Sequence, residues 1–140
     1  IYSPTEIFFC NKEEAQKILG TGENDIKKLL DGIRALGPKI AVITDGRKGA
    51  SFADGSGHWF APMYPDPSPP VNRTGAGDAA SSTMTSYIAK GLPPQEALLY
   101  GLINSASVVQ HTGAQTGLLS GEEIKDWYAK RPETFRASPL

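Results

Sequence analysis

Near its start the chain alternates between apolar runs and helical periodicity, and this alternation restricts the fold more than any other feature. Ile7-Phe8-Phe9-Cys10 is too short for a helix and apolar on both faces, the pattern of a strand buried in a parallel sheet. Asn11 is a candidate N-cap for a short helix running to Leu19, with Gly20 as its stop. From Asp25 onward Ile26, Leu29, Leu30, Ile33 and Leu36 recur at steps of three and four until Gly37-Pro38 ends the pattern. Ile40-Ala41-Val42-Ile43 is the next apolar run, followed by the turn residues Asp45-Gly46 and Gly49. Strand, helix and strand in this order make a βαβ unit, so a mostly parallel sheet with a right-handed crossover is expected.

The middle of the chain has a different character. Ser51-Phe52-Ala53 and His58-Trp59-Phe60 flank Asp54-Gly55-Ser56-Gly57, which predicts a hairpin. Pro62, Pro65, Pro67, Pro69 and Pro70 then mark an extended connector, because proline neither donates to a ladder nor continues a helix. Helical patterns resume over 79–90 and from Pro94 to about Gln110, with Gly91 and Gly113 as breakers. Ser120 and Glu123 form a capping-box pattern ahead of Ile124, Trp127 and Tyr128. Residues 1–131 are expected to be part of one domain, and 132–140 a frayed tail.

Composition removes several classes of function. Fourteen Lys and Arg balance fifteen Asp and Glu for a formal net charge of -1. Neither a nucleic-acid backbone nor an anionic membrane is therefore expected as a partner. No apolar run approaches the roughly 20 residues that span a bilayer, and no signal-like segment opens the chain. Cys10 is the only cysteine among 140 residues, so internal disulfides and cysteine-based zinc clusters are excluded and a cytoplasmic location is expected. The first residue is Ile1 and the only methionines are Met63 and Met84, so the chain is expected to be the later part of something longer.

The most informative stretch for chemistry is Asn72-Arg73-Thr74-Gly75-Ala76-Gly77-Asp78-Ala79-Ala80. Two glycines one residue apart at the start of a helix let the backbone approach a ligand and aim several unpaired N–H groups at one spot. Such a spot attracts anions. The same helix end favours an ionised Asp78, which could accept a proton while the amides hold charge developing on a transferring phosphoryl group. A plainer alternative is that Thr74 caps a helix and the glycines only shape its beginning. The stretch also satisfies the dinucleotide fingerprint G-x-G-x-x-G/A, but no clear strand precedes it, Asp78 would face a pyrophosphate, and Glu96 lies in a helix. A Walker-type loop is absent.

Other candidates have simpler explanations. Glu13 and Glu14 read as a solvated helix face, and Arg47-Lys48 as a solvated basic turn. His58 and His111 are far apart and lack ligand partners at metal spacing. Ser81 and Ser82 lack a G-x-S-x-G elbow.

The stretch at residues 72–78 is similar to D-T-x-G-A-G-D, the signature of the pfkB carbohydrate kinases of the ribokinase-like fold, a fold that also contains nucleoside kinases. Three further segments resemble the family in the same order. Phe9-Cys10-Asn11-Lys12-Glu13-Glu14-Ala15 looks like its N-x-x-E segment, and Val42-Ile43-Thr44-Asp45-Gly46-Arg47-Lys48-Gly49-Ala50 like its nucleotide-binding strand and loop. Val108-Val109-Gln110-His111-Thr112-Gly113-Ala114 looks like its helix-to-loop segment beside the adenine.

Carried over residue by residue, the resemblance implies that Asp78 activates the acceptor hydroxyl and that Gly75, Ala76 and Gly77 form the anion hole. It implies that Asn11 contacts ATP, that Glu14 helps place Mg2+, and that Thr44, Gly46 and Gly49 line the nucleotide site. The family's monovalent-cation loop falls on Asn72, Thr74, Val108, His111, Gly113 and Gly117. Asn72 stands where many members have Asp. An asparagine often found beside the adenine falls at Leu102, whereas this chain has Asn104.

The fold implied is α/β and ribokinase-like, a three-layer sandwich with a mostly parallel central sheet, of which these residues are the C-terminal, nucleotide-binding half. The activity implied is ATP-dependent phosphoryl transfer to a hydroxyl of a small-molecule sugar or nucleoside, with ATP and Mg2+ as cofactors and a monovalent cation as a further candidate. The acceptor-binding residues and a small β-lid would belong to an earlier half, through which a homodimer could form. An adenosine-type nucleoside kinase and a non-catalytic nucleotide-binding module are the alternatives. The isolated chain is expected to have little sugar-kinase activity.

Overall fold

Strands β1 (Ile7–Asn11) and β2 (Ile40–Thr44) run parallel, Ile7 opposite Ile40 and Asn11 opposite Thr44, in the computed structural model, which describes residues 5–140. Residues 1–4 of the expected domain lie outside the described residues. Two helices, α1 (Lys12–Leu19) and α2 (Ile26–Ala35), connect the two strands, as the βαβ pattern requires. Both begin on the residues expected from sequence: Asn11 and Asp25 each accept a backbone N–H at the helix start. Gly20 ends α1 in the left-handed conformation, where a side chain would be strained. Phe8, Cys10, Ala41, Ile43 and Ala53 pack with Ala15, Leu19, Ile26, Leu29, Leu30 and Ile33 of the helices into one core. Leu36 falls outside this stripe, at 40% exposure, because the helix has ended before it.

The rest of the sheet departs from the expected orientation. Strand β3 (Ala50–Asp54) pairs antiparallel with β2, and β4 (Gly57–Ala61) pairs antiparallel with β3. A fifth strand, β5 (Ser138–Pro139), pairs antiparallel with β4. The order is β1-β2-β3-β4-β5, so one pair is parallel and three are antiparallel, rather than mostly parallel. The cause is connection length: only residues 45–49 separate β2 from β3, and a parallel return needs a crossover of roughly a dozen residues or more. Asp54 holds the β3–β4 hairpin, its Oδ1 accepting from Ser56 N at 2.8 Å and from Ser56 Oγ at 2.6 Å.

The chain divides into two units, one comprising the residues up to Ala61 with Ser138–Leu140 and the other Pro62–Ala137. The second unit is helical: α3 (Ala76–Ala89), α4 (Pro94–Val108) and α5 (Gly121–Ala129). Pro94 occupies the first turn of α4, where its missing N–H is not needed. Gly101 lets α4 lie close to α3, since a Cβ there would sit 2.6 Å from the Ala80 carbonyl oxygen. Helix α4 is buried nearly all round, polar residues included. The Ser120–Glu123 capping box forms as expected at α5. Tyr100 joins the three helices through edge contacts with Tyr87 and Tyr128, ring centroids 4.7 and 4.9 Å apart.

The tail is ordered, against the expected fraying. Phe135 is 1% exposed and meets Tyr64 edge-on, while Leu140 N donates to His58 O at 3.0 Å beyond the β4–β5 pairing. One buried aromatic anchors a segment that its proline and charge content marked as loose. Among the described residues, no helix is long and apolar enough to cross a membrane.

Candidate active site

In the first unit, the expected nucleotide residues gather at the carboxyl ends of the parallel pair. Asn11 and Thr44 are register partners at the last positions of β1 and β2, the end of an α/β sheet at which ligands bind. The Asn-x-x-Glu spacing has a local physical reason. Asn11 Oδ1 accepts from Glu14 N at 2.8 Å and Glu14 Oε2 accepts from Asn11 N at 2.8 Å, a reciprocal capping box that starts α1. The box leaves Glu14 Oε1 and Asn11 Nδ2 without partners among the described residues. After Thr44, a short 3-10 turn (Gly46–Lys48) is closed by Asp45 N donating to Gly49 O at 2.9 Å. Gly46 and Gly49 have φ of 55 and 115, so both positions favour glycine. Lys48 pairs with Asp45 at 3.3 Å on the surface, as a solvated basic turn does.

Cys10, beside this end of the sheet, is buried. Burial, with a smaller contribution from the Glu14 charge, pushes its thiol up to about 11.

In the second unit, the glycine-rich stretch opens α3. Helix α3 starts at Ala76 rather than Ala79, so Asp78 lies in its first turn. Thr74 does not cap it. The N-cap is Gly75, left-handed at φ 86 and ψ -7, and no side chain bonds to the helix start. Thr74 N instead donates to Asn72 Oδ1 at 2.8 Å, and Ala76 N to Arg73 O at 3.3 Å. Among the described residues the N–H groups of Gly77 and Asp78 have no acceptor, and the exposed Asp78 carboxylate has neither a hydrogen-bond nor an ion-pair partner. Two free donors beside one free carboxylate can hold an anion and accept a proton within one turn.

The residues of the expected cation loop lie on two adjacent strips of chain. Asn72 N donates to Val109 O at 3.2 Å, and Gly75 is packed so closely on Ala114 that a Cβ there would sit 2.5 Å from its carbonyl oxygen. His111 N donates to Val108 O, and His111 Nδ1 to Ser107 O, both at 3.1 Å. Its ring fills the space where Gly117 would carry a Cβ. Gly113 and Gly117 have φ of 109 and 87. Ser107 Oγ fixes Gly117 by donating to its carbonyl at 2.7 Å. Asn72 thus spends a lone pair of its side-chain oxygen on Thr74, a bond within its own loop.

Leu102 and Asn104, expected beside the adenine, are both buried in α4. Leu102 is 2% exposed, in the core. Asn104, 5% exposed, donates through Nδ2 to Thr83 Oγ1 at 2.8 Å and accepts from Leu119 N at 2.9 Å. It is a brace between α3, α4 and the segment before α5. A buried amide in an apolar helix is itself the signal, since such groups are held by hydrogen bonds. Asn104→Ala is expected to cost about 1 to 3 kcal/mol, because it orphans the buried Thr83 hydroxyl and the partly buried Leu119 N–H together. Urea denaturation beside an ATP titration checks this: lost stability with ATP affinity retained is the expected result, and the opposite pattern contradicts it.

Among the described residues no cluster of three or more His, Cys, Asp or Glu could hold a metal ion. A single carboxylate with a free oxygen, such as Glu14, could meet magnesium that arrives bound to phosphates. A cleft of about 560 Å³ lies at the far end of α3 from Asp78, between Tyr87, Lys90, Glu96, Tyr100 and Lys125.

Residues 1–120 match the model of the pfkB family carbohydrate kinases. The chain is 34% identical over 113 residues to the cytidine kinase of Thermococcus kodakarensis, covering 81% of this chain and 40% of that protein. It is 32% identical over 130 residues to the ATP-dependent 6-phosphofructokinase of Thermoanaerobacterium thermosaccharolyticum, covering 91% of this chain and 38% of that protein. A crystal structure of a putative ribokinase II from E. coli in complex with ATP and Mg2+ superposes with a TM-score of 0.79 at 22% identity, covering 91% of this chain and 40% of that one. The chain thus spans about two fifths of the length of these relatives, and its α/β fold is ribokinase-like. With motif order, fold and a family match over most of its length in agreement, the chain belongs to the pfkB family of carbohydrate kinases.

Proposed function

We propose that the protein transfers the γ-phosphoryl group of ATP to a hydroxyl of a sugar or nucleoside, with Asp78 as general base. The observation that carries this is the first turn of α3: a solvent-facing carboxylate with no partner beside two N–H groups with no acceptor. Asp78 takes the proton from the acceptor hydroxyl as its oxygen forms a bond to the γ-phosphorus and the bond to the bridging oxygen of ADP breaks. The backbone from Gly75 to Gly77 holds charge spreading over the phosphoryl oxygens. Asn11, Thr44, Gly46 and Gly49 serve the nucleotide, and the spare oxygen of Glu14 serves magnesium. Magnesium, when bound, neutralises phosphate charge. Named relatives acting on a nucleoside and on a sugar phosphate support a small hydroxylic acceptor.

The test is an assay of the full-length protein with ATP and Mg2+ against pentoses, hexoses, hexose phosphates and nucleosides. Acceptor-dependent ADP formation at about 1 s⁻¹ or faster is expected for one of them. ATP binding with no turnover on any acceptor would support a non-catalytic nucleotide-binding module instead. Potassium replacing sodium at constant ionic strength is expected to raise the rate by less than about threefold. The reason is that Asn72 offers an amide dipole, already bonded to Thr74, where a carboxylate would offer a charge. A large, saturable activation by potassium contradicts the second expectation and leaves the first standing.

A further inference from the structure

Residues 62–75, which lead into the reactive turn, form no helix or strand. Their prolines contribute no N–H, so few groups in the segment can anchor it. Among the described residues, every hydrogen bond from 65–73 to a distant part of the chain ends on two consecutive residues. Val71 N and Asn72 N both donate to Val109 O, at 2.8 and 3.2 Å. Ser68 Oγ donates to Gln110 Oε1, and Gln110 Nε2 donates back to Ser68 O at 3.1 Å. The shared Val109 oxygen is a single pivot, which fixes where the loop passes but not its direction. The paired bonds between Gln110 and Ser68 supply a second fixed point upstream, and Gly75 against Ala114 supplies the downstream stop.

We infer that Gln110 is a positioning residue that sets the course of the loop carrying Asp78, an inference that rests on the general-base role given to Asp78 above. Gln110 lies beyond the last residue of α4 and is only half-buried, so removing its amide opens no core cavity. The effect belongs to loop geometry, and a misdirected base loses rate more than it loses substrate binding.

Gln110→Ala, Gln110→Glu and Ser68→Ala in the full-length protein test this with three readouts: hydrogen exchange of peptides spanning 66–80, steady-state kinetics, and a thermal melt. Gln110→Ala is expected to speed exchange in 66–78 about 3- to 10-fold and to lower kcat by a similar factor, with KM for ATP within about twofold and exchange in α1 and α2 unchanged. Gln110→Glu keeps the acceptor for Ser68 Oγ and loses the donor to Ser68 O, so it is expected to fall between. The double variant should be no worse than Gln110→Ala alone, because the two residues hold each other. Unchanged exchange overturns the inference, as does faster exchange with unchanged kcat. Should Asp78→Asn keep its turnover, the base assignment has failed separately, and the exchange data still decide the clamp.

Discussion

Asp78→Asn in the full-length protein is expected to lower kcat by a factor on the order of 10² to 10⁴ while the protein folds and binds ATP almost as before. Asparagine matches aspartate in size and also suits a first helical turn, so the substitution removes the proton acceptor and little else. The wild-type carboxylate is exposed and makes no hydrogen bond or ion pair among the described residues, so no native contact is lost. What is lost is the charge at the N-terminus of α3, about 0.3 to 1 kcal/mol for an exposed site. The experiment sets kcat and KM for both substrates beside a thermal melt and an ATP titration. Turnover within a few-fold of wild type would sink the base assignment, and a collapsed melt would show that Asp78 is structural.

Several features were legible in the sequence because their causes are local. The Asn11–Glu14 and Ser120–Glu123 boxes need only a cap and a carboxylate three residues on, and both form. The strand–helix–strand order needs only periodicity, and β1 and β2 are parallel as it implies. Features with distant causes were not legible. Thr74 has the chemistry of a cap, yet Gly75 takes that place because close packing on Ala114 holds the chain there in the left-handed conformation. The resemblance placed Asn104 beside the adenine, but nothing near it in sequence shows its bonds to Thr83 and Leu119, which come from two other segments. The tail looked loose because nothing in its composition announces that Phe135 will be buried or that Ser138 and Pro139 will find β4. Gln110 had no sequence signal at all, since its partner Ser68 lies in a connector without periodicity.

The two glycines of the turn that opens α3 should respond to alanine in opposite ways, and this separates the geometry of the loop from its proposed chemistry. At Gly75 the backbone has φ of 86, which costs alanine roughly 1 to 2 kcal/mol. The new Cβ would also sit 2.5 Å from the Ala114 oxygen and 2.8 Å from its Cα, both backbone atoms that cannot swing aside. Overpacking of that kind adds about 1 to 3 kcal/mol, so Gly75→Ala should destabilise by about 2 to 5 kcal/mol in all. The strain relaxes either by moving the start of α3, which misdirects the N–H groups of Gly77 and Asp78, or by displacing the segment that carries His111 and Gly113. Either way turnover falls steeply. Gly77 is inside the helix without positive φ, and a Cβ there meets nothing within 4 Å. Alanine is the better helix former, so Gly77→Ala should leave stability unchanged or raise it by about 0.5 to 1 kcal/mol. Its methyl group would instead stand in the space beside the free amides, where an anion is to approach, so kcat/KM for ATP should fall although the fold is intact. Urea denaturation and steady-state kinetics on both variants decide the matter. If Gly77→Ala keeps full activity, the anion does not approach this turn. If Gly75→Ala is as stable as wild type, the close packing of Gly75 on Ala114 does not constrain the loop.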